Sequence, residues 1–178
     1  GGRRRRPPRR DARRRVHVQV VHDNLTNAKS PMLVGHYEND VIVAAERALN
    51  ARLDGRLTEL HRMELYPGPV GTAVAVLNAD DAPEASYPGA IIAGLGTVGE
   101  LTPGQLTRAL AQALTSYGAE CVGRDRRRRQ RSGQDTRADG EIAVPVSAVL
   151  VGSGEAGVSL KDAIQALLRG VRIANDRL

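Results

Sequence analysis

Between Ala90 and Leu114 the chain passes from an apolar run through a glycine turn into a helix, and few folds accept that order of elements. Ala90 to Ala93 suits a strand buried on both faces. Gly94, Gly96 and Gly99 let the backbone turn tightly without a Cβ penalty. Thr102 is placed to cap a helix whose first position is Pro103, where no N–H is missed. Leu106, Ala109, Leu110, Ala113 and Leu114 then recur at helical spacing and give one apolar face. The same succession occurs at Met32-Leu-Val-Gly35 and at Ala148-Val-Leu-Val-Gly152, each followed by a helix pattern. Irregular intervals exclude a solenoid repeat. Strands alternating with helices predict an α/β domain with a mixed, mostly parallel sheet and helices on both faces, the three glycine turns lining a common crevice at its carboxyl edge.

The remaining segments fit around this frame. Val16 to Val21 is β-branched and partly alternating, so it reads as a first strand ended by the turn-forming Asp23-Asn24. Asp40 is expected to cap a helix through Leu53, with Val41, Ala44, Ala45, Ala48, Leu49 and Leu53 inward and Gly55 ending it. A polar linker containing Leu57, Leu60 and Leu65 leads to the Pro67-Gly-Pro69 turn and to an alternating strand from Gly71 to Leu77. Val146 to Val151 reads as a buried strand, and a helix is expected from Ser159 past Gly170.

Charge is concentrated in two stretches. Residues 1–15 hold nine arginines and Asp11, and residues 124–131 hold six arginines and Asp125. Without these 15 arginines and two aspartates, 11 of the 26 basic and 18 of the 20 acidic residues are left, a net of −7. The body is therefore acidic and disfavours phosphate backbones, leaving nucleic acid only the arginine segments. Residues 1–15 read as a disordered tail, and residues 16–178 as one domain carrying a mobile arginine-rich insertion at about 118–141. The single Cys121 excludes an internal disulfide and, with no apolar run of membrane-spanning length, points to a cytoplasmic protein.

Gly94-Leu-Gly-Thr-Val-Gly99 and Gly152-Ser-Gly-Glu-Ala-Gly157 both have the spacing of a dinucleotide fingerprint, although each helix opens only after the third glycine. Gly35, Gly94, Gly96, Gly99, Gly152, Gly154 and Gly157 are thus the candidate ligand-binding positions, acting through their backbone, and no cofactor is assigned. Glu155 in the second loop opposes phosphate. His17, His22, His36 and His61 lack metal-ligand spacing. Cys121 has no histidine near it in sequence, and no serine elbow or carboxylate pair stands out, so no catalytic residue is assigned.

Taken together, Pro31 to Gly55, Pro67-Gly-Pro-Val-Gly71 and Ile91-Ile-Ala-Gly-Leu-Gly-Thr-Val-Gly-Glu-Leu-Thr102 resemble the non-catalytic N-terminal domain of leucyl aminopeptidases, over roughly residues 30–117. His36-Tyr37-Glu38 and Leu65-Tyr-Pro-Gly-Pro69 also resemble segments preceding caspase-like CHAT peptidase modules of bacterial proteins. The resemblance implies a three-layer, macro-domain-like fold and a regulatory or assembly role beside a peptidase module. A protein partner or a homo-oligomer follows from it. A sensor of a nucleotide or ADP-ribose-like ligand at the glycine loops is the alternative, and nucleic-acid binding through the arginine segments the third reading.

Overall fold

The computed structural model describes residues 15–42, 44–79, 83, 86–133, 142–154 and 157–178. Residues 1–14 and 134–141, parts of the expected tail and insertion, lie outside them. Four strands form one sheet: β1 (Met32–His36), β2 (Ala73–Leu77), β3 (Gly89–Gly94) and β4 (Ser147–Ala148), in the order β2-β3-β1-β4. β1 runs parallel to both β3 and β4, and β2 runs antiparallel to β3. The mixed, mostly parallel α/β sheet expected from the three recurrences is what the chain forms. All six residues of β3 are buried, as an unbroken apolar run at the centre of a sheet must be.

Side chains alternate across this sheet and divide the core in two. Leu33, Ile91 and Ala93 face α3 (Pro103–Arg131) and α4 (Leu160–Arg177), packing with Leu106, Leu110, Leu114 and Ala166. Met32, Val34, Val76 and Ile92 face the other way, onto Leu49, Leu53 and Leu57, which belong to or adjoin α1 (Ala44–Arg52) and α2 (Arg56–Arg62). Helices therefore cover both faces. Each fully buried Leu or Ile contributes roughly 1.5–3 kcal/mol through the water it leaves.

Both long helices start where their capping residues require. Thr102 and Gln105 form a reciprocal capping box before Pro103, and Ser159 accepts the Asp162 N–H at the start of α4. α4 lays Ala163, Ala166, Gly170 and Ala174 toward the core, and a Cβ on Gly170 would stand 3.0 Å from that of Leu110, so small residues set the close approach of α4 to α3.

Five expectations need correction. α1 opens at Ala44, four residues after Asp40, and Val41 and Ala44, expected to face inward, are exposed. The arginine-rich stretch is helical as far as Arg131, a continuation of α3, so residues 118–131 are not a structureless insertion. A helix already anchored by its packed half grows without a new nucleation step, and Glu120 and Arg124 pair in the favourable i, i+4 order at 2.9 Å. Such an end needs no apolar periodicity because it packs on little. The expected linker holds α2, which the short Leu57-x-x-Leu60 pattern left too brief to recognise. Val146 to Val151 yields only the two-residue β4, and Leu150 is exposed. Val16 to Val21 forms no strand, because no neighbour pairs with it, and its four valines are exposed.

No helix among the described residues is long and apolar enough to cross a membrane. Tyr66, Tyr87 and Tyr117 all have phenols pushed above their ordinary value of 10.0, in each case chiefly by burial. Below that value folded and unfolded chains are both protonated and stability is complete. Above it the unfolded chain releases phenolic protons that the folded one retains. Stability should therefore fall by about 1.4 kcal/mol per pH unit for each tyrosine that stays protonated. A pH titration followed by tyrosinate absorbance and circular dichroism should show ionisation and unfolding together; free ionisation of all four tyrosines in a folded protein would contradict the burial.

Candidate functional site

Strand alternation carries Met32 and Val34 into the core beside α1 and α2, and the next position on that face, at the carboxyl end of β1, is His36. α1 meets it with Glu46, which shares the inner stripe with Leu49 and Leu53 at helical spacing. The histidine is 4% exposed and the carboxylate 5%, so each depends on the other for hydrogen bonds. His36 Nδ1 lies 3.0 Å from Glu46 Oε1 and 3.2 Å from Oε2. Tyr66, in the segment that leaves α2, donates its hydroxyl to Glu46 Oε1 at 2.8 Å. The Tyr66 ring stands edge-on to His36 with centroids 4.7 Å apart, and the exposed His61 ring meets His36 edge-on at 6.0 Å and Tyr66 at a tilt at 5.8 Å.

This arrangement fixes protons. An acceptor at Glu46 requires the Nδ1–H form of His36, a tautomer assigned from the hydrogen-bond pattern. Burial, and then the adjacent Glu46 carboxylate, keep the Tyr66 phenol protonated. A carboxylate orienting an imidazole is two-thirds of a nucleophilic triad. The missing third matters: among the described residues no serine, threonine or cysteine hydrogen-bonds to His36. No group of three His, Cys, Asp or Glu side chains there is placed to hold a metal ion. What the cluster does is tie β1, α1 and the 65–69 segment together.

That segment lies across the carboxyl end of β3. Gly96 N–H donates to Gly68 O at 2.8 Å, and Glu38 N–H donates to Gly96 O at 2.9 Å. Gly94 N–H donates to Thr72 O and Leu95 N–H to His36 O, both at 2.9 Å. The amides of Gly94, Leu95 and Gly96 are therefore all engaged by protein. Gly94 has to be glycine, since a Cβ there would collide with Pro69 O and Thr72 Oγ1. Gly96, at φ +77°, takes the left-handed conformation that a side chain strains.

The parallel strands do bring Gly35, Gly94, Gly96 and Gly152 to one edge of the sheet, but the crevice between them is filled. Leu95 and Val151, both buried, each lie 2.6 Å from where a Cβ on Gly35 would be. Leu101 and Leu106 occupy the space above Gly152. A Cβ on Gly157 would collide with Gly152 O, whose acceptor is engaged by Val158 N–H at 2.8 Å. Gly99 and Gly154 border open space, in loops that precede the capped helices. The seven glycines thus shape turns and close approaches, and five of them face packed protein, not an open site.

Cys121 stands on α3, half-buried, with its thiol pushed up by burial against the weaker opposing pull of Tyr117 and Arg124. A thiol held protonated is a poor nucleophile. Of the basic cluster, Arg124 donates to Asn78 O and Glu120, Arg127 to Glu120, and Arg129 pairs with Asp125.

Sequence reasoning missed Glu46 altogether, weighed His36 only as a metal ligand and within a resemblance motif, and met Tyr66 only inside such a motif. The available signal was a carboxylate at an inward helical position, three and seven residues before Leu49 and Leu53. No protein-family model matches the chain, and no curated protein is similar to it.

If Glu46 is the shared acceptor, Glu46→Ala should destabilise the fold by about 3–5 kcal/mol, since it leaves His36 and Tyr66 without their partner. Tyr66→Phe should cost about 2 kcal/mol. The double variant should lose less than the sum, because Tyr66 has no acceptor once Glu46 is gone. Urea unfolding of the four proteins checks this, and strict additivity would contradict a shared carboxylate.

Proposed function

We propose that this chain is a non-catalytic regulatory or assembly domain, macro-domain-like in architecture, that works beside a peptidase module of a larger bacterial protein in the cytoplasm. The observation that carries the reading is the closed carboxyl edge of the sheet. In α/β sheets ligands enter there, yet here Gly68 and Pro69 lie over Gly94 and Gly96 while Leu95 and Val151 fill the space beside Gly35. A domain so closed works through its surface. α4 supports this with Leu160, Ile164 and Leu168, all exposed and four residues apart, a ridge of the type that buries itself in a partner. The oriented His36 lacks a nucleophile, which fits a latch better than a catalyst.

Calorimetric titration with ADP-ribose, NAD and ATP tests the reading. The expected outcome is no saturable micromolar binding to the unaltered domain. Saturable binding that disappears in a folded Gly96→Val or Gly154→Val variant would instead establish a ligand sensor at the glycine loops. Titration with a peptidase module encoded in the same reading frame should give binding that Ile164→Glu weakens about tenfold or more.

A further inference from the structure

The six residues from Val16 to Val21 have the composition and partial alternation of a strand, yet they form none and pair with no strand among the described residues. Val18, Val20 and Val21 are 65%, 95% and 65% exposed. Such a segment is unusual on a protein surface unless something covers it. Its direction is set by the turn that follows: Asp23 accepts from Asn24 N–H and from the Asn27 side chain, and Asn24 accepts from Thr26. The 3-10 turn Leu25–Asn27 is held in turn by Tyr87, whose hydroxyl donates to Leu25 O at 2.8 Å. The arm leaves the body from a fixed base.

A matching surface lies on the same molecule. β2 is an edge strand of five residues. Thr72 O accepts from Gly94 N–H, so by antiparallel alternation Thr72, Val74 and Val76 exchange hydrogen bonds with β3, while Ala73, Ala75 and Leu77 turn their N–H and C=O groups to the open side. Leu77 O confirms the direction, because the Arg56 guanidinium reaches it from outside the sheet at 3.2 Å. Among the described residues no strand pairs with this side. Beside it runs a groove of ≈ 370 Å³ lined by Arg56, Glu59, Leu60, Met63, Val74 and Val76. Backbone donors and acceptors along an edge, with an apolar groove for alternate side chains, make a receptor for an added strand.

We propose that the Val16–Val21 arm of a second copy of this chain adds to the open edge of β2, with Val16, Val18 and Val20 entering the groove, and that the exchange is reciprocal about a two-fold axis. The inference rests on the assembly reading above and specifies one form of it. Length agrees, six residues against five. Charge agrees as well. Residues 1–15, which lead into the arm, carry nine arginines against one aspartate, while the chain outside the two arginine clusters has a net of −7. The arm lies exposed and off the open edge of its own β2, which favours a second copy.

Sedimentation equilibrium of the full chain tests the exchange, with each variant checked by circular dichroism. The unaltered protein should be a dimer. Val18→Lys combined with Val20→Lys alters exposed residues that belong to neither core cluster, and should raise the dimer dissociation constant at least about tenfold. Ala75→Pro removes an N–H that faces the open side, and should do the same from the other partner surface. Mixing the two variants should restore association in part, since one intact arm then meets one intact edge. A monomeric unaltered protein would overturn the proposal, as would a monomer whose Val20 amide is protected from hydrogen exchange, which would mean that the arm docks on its own edge. A dimer indifferent to the arm variant but lost in Ile164→Glu would overturn the exchange while leaving the assembly reading in place. Should Ala75→Pro fail to fold, the arm variant alone decides.

Discussion

A carboxylate removed from water at Glu46 has to be matched by donors, and the match connects three parts of the chain that are remote in sequence. His36 ends the central parallel strand, Tyr66 follows α2, and Glu46 itself lies on α1. An ionised carboxylate accepts and never donates, so both neighbours must present hydrogen. The consequence is mechanical. With Tyr66 held, the next residues Pro67 and Gly68 are buried, and Gly68 O receives Gly96 N–H at 2.8 Å. The Glu46 cluster thus helps hold the 65–69 segment over the carboxyl edge of the sheet. Buried pairs of this type are costly to break and contribute little net stability compared with an apolar core. Their worth here is in specifying one position for the 65–69 segment.

The strand beneath that closure could hardly be placed otherwise. β3 is apolar throughout and has β1 on one side and β2 on the other, so its two faces are each covered by a helix layer. Its last residue, Gly94, admits the backbone of Pro69 and the hydroxyl of Thr72 at a distance no side chain would permit. The glycine turn that resembles a phosphate cradle is in this chain a turn that accepts another piece of protein. The same three glycines at the same spacing serve packing or ligand according to what reaches their amides first.

The parts legible in the sequence are those in which local chemistry and tertiary packing agree. β3, the Thr102-Pro103 start of α3 and the Ser159 start of α4 were readable because apolar periodicity, a capping side chain and a proline or hydroxyl all point to the same boundary. α2 was not, since seven residues give fewer than two helical repeats from which to read a face. The far end of α3 was misread for a different reason: an extension that packs on little carries no periodicity, although Arg, Gln and Glu all favour helix. Val16 to Val21 was misread because strand propensity states what a segment would do beside a partner and cannot supply one. The candidate site was illegible in another sense. Each of His36, Glu46 and Tyr66 is ordinary in its own segment, and only the fold brings 10 and 20 residues of separation down to hydrogen-bond distance.

The two edges of the sheet differ in a way that bears on how such a domain meets others. β4 pairs over only two residues, and the chain then turns through Val149 and Val151 toward α4, so that edge is short and leaves little backbone to extend. Short edges are a recognised defence against unwanted pairing. β2 has no such defence along Ala73 and Ala75. Their side chains are small, no proline or bulge interrupts them, and among the described residues the outward group seen to be occupied is Leu77 O, by Arg56. A sheet that protects one edge by shortening it and leaves the other straight directs any added strand to a single place. With the carboxyl crevice closed by the chain's own backbone, the described residues leave that straight edge and the exposed Leu160, Ile164 and Leu168 ridge of α4 open to solvent.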